Sequence, residues 1–97
     1  MDAKADEISH NAERQRFEVP AGESLAVLEY LPLDATTLDY HHTFVPPTAR
    51  GRGIASRLVR FALDYALEQG LTVVPSCPFV AAYVAGHPRY RVLLQEP

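Results

Sequence analysis

The chain has one cysteine in 97 residues, Cys77. A single thiol excludes an internal disulfide framework. With no CxxC pair and no His/Cys pairing at ligand spacing, it also argues against a structural zinc site, so no metal is expected. Lysine is absent after Lys4, which rules out a Walker-type loop, whose glycines must run into Lys-Ser or Lys-Thr. No stretch approaches the roughly 20 apolar residues of a membrane span, and the polar opening MDAKADEISHNAER has no hydrophobic signal region. The expectation is a cytoplasmic protein without a membrane partner. There is no internal repeat and no low-complexity run, and with 47% apolar residues the whole of 1–97 reads as one small domain.

The most telling absence is acidic. Residues 1–39 hold nine acids against Lys4, Arg14 and Arg16, yet from Tyr40 to Leu63 there is no acid and there are four arginines, Arg50, Arg52, Arg57 and Arg60. The net charge is −3, so the positive charge is local. A concentrated patch on an acidic protein suits a compact anion, because a long polyanion would be repelled by the remaining surface; aromatic residues also do not interleave with the arginines, and nucleic acid is not an expected partner. Arg57 and Arg60 read as a solvated helix face, Arg60 standing four residues before Asp64. Arg50 and the glycine backbone beside it read as ligand-directed.

What is present at that point is VPPTARGRGIA, residues 45–55, running straight into SRLVRFALDYALEQG. Pro46 and Pro47 cannot donate to a strand ladder and hold the chain extended or turned. Gly51 and Gly53 allow positive φ and a close approach by a ligand. The first amides of the helix that follows have no intrahelical partner and sit at the positive end of its dipole, a ready site for a pyrophosphate.

The apolar period changes once, near residue 50. Before it, short segments have strand character, bounded by Asn11, by Pro20-Ala21-Gly22 and by a turn over 32–35. The clearest are 25–31 and 36–45; in the latter, strict alternation puts Leu38, Tyr40, His42 and Phe44 on one face and Asp39, His41, Thr43 and Val45 on the other. Residues 7–10 can pair as a first strand within a polar start expected to be partly disordered. Residues 53–69 then take helical spacing, with Ile54, Leu58, Phe61, Ala62 and Tyr65 on one stripe and Gly70 as the stop. A short strand over 71–74 is expected to pair parallel to the strand before the helix. Pro78 opens a second helix over 79–85, ended by Gly86 and Pro88. Residues 91–94 fit a last helical turn or an edge strand. The fold class is α/β (α+β): an antiparallel meander, a helix, a parallel splayed strand and a short C-terminal helix. A Rossmann unit does not fit, since a meander precedes the glycines and no acid for a ribose occurs in 69–95.

Arg50-Gly51-Arg52-Gly53-Ile54-Ala55 matches the pattern Gln or Arg, two residues, Gly, one residue, Gly or Ala. With VVPSCPFVAAY at 73–83, His87-Pro88-Arg89-Tyr90, and HNAERQRFEV at 10–19, the chain resembles the GCN5-related N-acetyltransferase (GNAT) superfamily, and within it the short YjdJ-type branch of acetyl-CoA-binding proteins. The resemblance covers nearly the whole chain. It implies a CoA site formed by Val45, Arg50, Gly51, Arg52, Gly53, Ile54 and Ala55, with the pantetheine between the strands at 36–45 and 71–74 and acetyl-CoA as co-substrate. Longer relatives place helices between their first two strands to shape the acceptor site, and this chain has no room for them. Acyl-CoA binding is therefore better supported by the resemblance than transfer to a particular amine.

Three residues are candidates for chemistry. Cys77, as N-cap before Pro78, stands where helix amides favour thiolate over thiol; relatives in the short branch commonly carry a cysteine here, which implies acetyl transfer through a thioester. Its plainer reading is a small buried residue that packs. His42 could accept a proton from its strand; relatives often have glutamate where Phe44 stands, so a carboxylate base is missing. Tyr83, with Tyr90, could protonate a leaving thiolate, or be a core aromatic. His87 reads as a helix C-terminal cap. The sequence thus leaves an acetyltransferase acting on an unidentified small-molecule or protein amine beside a CoA-binding module without turnover, and it leaves the oligomeric state open.

Overall fold

The computed structural model describes residues 7–94; what the sequence suggests for residues 1–6 lies outside them. Five strands form one sheet in sequence order, β1 (Ser9–Asn11), β2 (Arg16–Ala21), β3 (Ser24–Asp34), β4 (Thr37–Phe44) and β5 (Thr72–Val74). The first four pair antiparallel and β5 pairs parallel to β4, with Leu38 opposite Val73. Helix α1 (Ile54–Gln69) makes the crossover and α2 (Pro78–Gly86) follows β5. The expected meander, helix, parallel strand and helix are all there.

Alternation in β2 and β3 builds the core. Phe17, Val19, Ala26, Leu28 and Tyr30 are buried on one face, and α1 lies on it with Leu58, Val59, Ala62, Leu63 and Ala66 turned inward. Phe61, placed by spacing on the buried stripe, is 38% exposed; it and Tyr65 stand at the margin, edge-on to Phe17 at 6.0 and 5.4 Å. Tyr40 is fully buried and donates to the carbonyl of Ala62 at 2.7 Å, bonding the strand to the middle of the helix. Each such buried aromatic contributes roughly 1.5–3 kcal/mol by leaving water.

Both helix ends of α1 are glycine-made. Gly53 at φ 75° precedes the first turn, and Gly70 at φ 69° ends the last. The amides of Gly70 and Leu71 return to Leu67 and Ala66, closing a Schellman motif.

Prolines expected to end strands do not. Pro20 lies inside β2, opposite Leu25, because β1 pairs only as far as Glu18 and the residues beyond it are paired on one side, where proline is tolerated. Pro32 lies inside β3, and the turn shrinks to Ala35-Thr36.

The expected alternation in β4 also fails. Tyr30 faces Tyr40 but Glu29 faces His42, so His41 is an extra residue in β4; Leu33 is a second extra residue in β3, between Pro32 and Asp34. The bulge at His41 inverts every later side chain. Thr43, opposite Leu28, joins Tyr40 on the helix-covered face, and His42, opposite Glu29, turns to the other one. At the C-terminus the helical alternative for 91–94 is realised: Pro88–Leu93 is 3-10 helical, and Leu94 then makes a single parallel bridge to Val73 instead of an edge strand.

Candidate functional site

The chain leaves β4 through Val45 and Pro46, makes a 3-10 turn at Pro47–Ala49 and enters α1 through Arg50 to Gly53. Gly51 and Gly53 both take positive φ, 84° and 75°. No side chain caps the first turn of α1 and no acid stands in it. These amides face a cavity of about 330 Å³ lined by Val45, Ala49, Arg50, Gly51, Gly53, Ile54, Ala55, Ser56 and Phe79, a volume at the small end of ligand pockets.

Six of the seven residues expected around CoA line this cavity. Arg52 does not; its carbonyl accepts from Arg57 Nη1 at 3.2 Å. The Arg50 guanidinium reaches back along the wall, its Nε donating to the Val45 carbonyl at 2.9 Å and its carbon 6.0 Å from the Phe44 ring centroid. Arg60 pairs with Asp64 at 3.9 Å, on the solvated face where its spacing put it.

Three lining residues escaped the sequence reading. Ala49 and Ser56 flank the glycine pattern. Phe79 comes from α2, and its only signal was a large apolar side chain in the first turn of a helix, which the fold leaves 41% exposed.

Cys77 is the N-cap of α2 in extended conformation, with Pro78 as first helical residue. Its amide donates to the Tyr40 carbonyl at 2.9 Å, which fixes the start of α2 against β4. The side chain is buried, 6% exposed, and Sγ lies 3.5 Å from Thr43 Oγ1. Burial alone would push this thiol up, but the Thr43 hydroxyl and the amides of Val80, Phe79 and Thr43 turn toward the sulfur, and the net effect is a thiol below its ordinary value. Thr43 stands two residues before Val45, and Phe79 two residues after Cys77, so the pair adjoins two lining residues along the chain without itself lining the cavity.

The other candidates are not gathered there. His42 is exposed on the opposite sheet face, beside Glu29. Tyr83 is six residues along α2 from Cys77, about 9 Å in rise. Its ring stacks on His87 at 3.9 Å and meets Tyr90 at 6.1 Å. The amide of His87 closes α2 on Val84, and its ring Nδ1 lies 2.8 Å from the Tyr83 carbonyl oxygen. The Tyr90 hydroxyl donates to Asp64 at 2.7 Å, and Arg89 joins the same carboxylate at 2.9 Å. Burial first and the Asp64 carboxylate second push the Tyr90 hydroxyl up, and the cluster fastens the C-terminal turn to α1. Among the described residues, no group of three or more His, Cys, Asp or Glu could hold a metal ion, and no helix is long and apolar enough to cross a membrane.

Four antiparallel strands, a crossover helix with a glycine-made start beside a cavity, and a fifth strand parallel to the fourth give a mixed α/β fold. The sequence profile described as GCN5-related N-acetyl-transferase matches residues 16–93, and the chain belongs to that family. It is 35% identical over 83 residues to Protein NATD1 of Xenopus tropicalis, covering 84% of this chain and 76% of that protein. The human Protein NATD1 is 35% identical over 83 residues, covering 84% and 74%; that of Danio rerio is 33% identical over 87 residues, covering 86% and 79%. In fold, the chain superposes on the solution structure of a GCN5-like protein from Staphylococcus aureus with TM-score 0.74 and 22% identity, covering 98% of this chain and 92% of that one.

Proposed function

We propose that this protein is an acetyl-CoA-dependent N-acetyltransferase in which Cys77 carries the acetyl group on its way to an amine. The observation that carries this reading is the cavity at the start of α1, lined by Val45 and Phe79, each two residues along the chain from one member of the Thr43–Cys77 contact. Family membership supports the donor, acetyl-CoA, and leaves the acceptor to be found.

The amides of Gly53 to Ser56 and the helix dipole would bind the pyrophosphate, and Arg50 would swing from the Val45 carbonyl toward it. Cys77 as thiolate attacks the acetyl carbonyl; the new carbon–sulfur bond forms, the bond to the CoA sulfur breaks, and the released CoA thiolate takes a proton from water. A neutral amine then attacks the thioester, loses a proton to solvent, and Cys77 leaves as thiolate. A free reactive thiol suits a reducing compartment, in keeping with a cytoplasmic location.

The exposed position of His42 favours a second reading, a CoA-binding module without turnover, because it leaves the sulfur without a neighbouring base among the described residues. Native mass spectrometry with acetyl-CoA, followed by denaturing intact mass, separates the two. Acetyl retained on the parent and absent from Cys77→Ser supports the thioester route. Binding with no retained acetyl removes that route, and an amine panel then tests direct transfer against binding alone.

A further inference from the structure

We propose that Thr43 is the positioning residue of Cys77: its hydroxyl orients the sulfur at the start of α2 and donates to it when it is negatively charged. The inference rests on the reading of Cys77 as the acetyl carrier. Strict alternation would have sent Thr43 to the open sheet face, away from α2. The extra residue His41 re-aims it, so that Oγ1 lies 3.5 Å from Sγ. β-Bulges recur beside active sites because they re-aim the side chains that follow them.

The rest of the setting is built around the same contact. The Cys77 amide is bonded to the Tyr40 carbonyl of the same strand, which fixes the distance between β4 and the start of α2. The amides of Phe79 and Val80 approach the sulfur from the helix side, without closing a full cap bond, and the Thr43 amide approaches from the strand. All of these donors are neutral, and no charged side chain is hydrogen-bonded to the sulfur among the described residues. A threonine hydroxyl can accept from a thiol and donate to a thiolate by rotating about one bond. Carrying the acetyl group replaces one sulfur proton by carbon, and the hydroxyl then remains free to turn away. Valine matches threonine in shape and lacks the donor, and serine keeps the donor and lacks the methyl group, so the two substitutions separate polarity from packing.

The test uses the single cysteine of the chain, whose thiolate absorbance in the ultraviolet, corrected for tyrosine by subtracting the Cys77→Ser protein, gives its titration curve. Thr43→Val is expected to move the midpoint upward by about one pH unit, leaving about tenfold less thiolate at neutral pH, and Thr43→Ser to restore most of it. If Thr43→Val does not fold, Thr43→Ala makes the same comparison. Superimposable curves for parent and Thr43→Val overturn the inference, as does a Thr43→Ser curve shifted as far as that of Thr43→Val. The titration needs no acetyl-CoA, so the two readings fail separately. A Thr43-dependent midpoint in a protein that retains no acetyl supports the role of Thr43 and removes the thioester route; retained acetyl with an unshifted midpoint does the reverse.

Discussion

The two helix starts of this molecule are preceded by opposite kinds of residue. At α1 the residue before the helix is Gly53, with no side chain, in a left-handed conformation that turns the free amides onto a cavity. At α2 it is Cys77 in extended conformation, with its own sulfur lying against the amides and Pro78 taking the place of the first donor. Both termini present the positive end of a dipole. On the proposed function, the cap residue decides whether that end serves an outside anion or the protein's own sulfur: the glycine leaves room for a pyrophosphate, and the cysteine sets a sulfur beside the amides.

The strongest way to break this contrast is to fill the empty cap. Gly53→Asp places a carboxylate against the amides of α1 and should weaken CoA binding at least about 100-fold by calorimetry, through repulsion and loss of the site. Stability should fall by only about 1 kcal/mol, since Asp is among the residues that tolerate positive φ and a Cβ at this position would meet nothing closer than Arg57 Nη1 at 3.7 Å. A melting temperature unchanged together with unchanged CoA affinity would place the anion elsewhere.

Cys77→Ser puts a preferred capping residue at the start of α2 and removes the proposed nucleophile. It should abolish acetyl retention while moving stability by no more than about 1 kcal/mol at neutral pH. The pH dependence carries a sign. The folded thiol lies below its ordinary value, so the unfolded state binds more protons over the interval between the two, and stability rises with pH there. Relative to Cys77→Ser, the parent should gain stability as pH rises from the lowered midpoint of the folded thiol to the ordinary thiol value of about 8.5, and lose that advantage as pH falls. Parallel stability curves would remove the case for a polarised sulfur.

Arg50→Ala should have a smaller effect, about fivefold on CoA affinity and weaker still at high salt, because the side chain is exposed and is bonded to Val45 before any ligand arrives. The least effect on the site comes from the far edge of the sheet. The His10 ring stacks on Phe17 at 4.6 Å and hydrogen-bonds the Tyr30 hydroxyl, and burial holds it below the usual imidazole value. The unfolded state therefore takes up a proton first, and the melting temperature should fall as pH drops below about 6.5. CoA affinity should be flat over the upper part of that range; a parallel loss would couple β1 to the cavity.

Much of this was legible from the residues alone. The change from strand to helical period near residue 50, the glycines at 51, 53 and 70 and the proline at 78 give the helices within a residue or two, because caps and breakers act through local backbone geometry. The positive φ of the glycine-spaced loop was legible for the same reason. Pro20 and Pro32 misled as strand ends, because what proline costs in a strand depends on whether a neighbour needs its missing donor, and that is a property of the sheet. Phe61 misled as a core residue, because helical spacing gives the stripe but not its centre.

The sequence by itself determined where the chain must turn, where helices start and stop, and that a run without acids surrounds a flexible glycine loop; each depends on a few consecutive residues. Only the tertiary structure decided which side chains meet. The extra residue at His41 exchanges the faces of His42 and Thr43, and it exists only in the pairing of β4 with β3. Phe79 reaches the wall of a loop that lies some 25 residues earlier only because β5 pairs parallel to β4 and brings α2 back beside the start of α1. Register and proximity are set by pairing and packing among distant segments, and no local pattern encodes them.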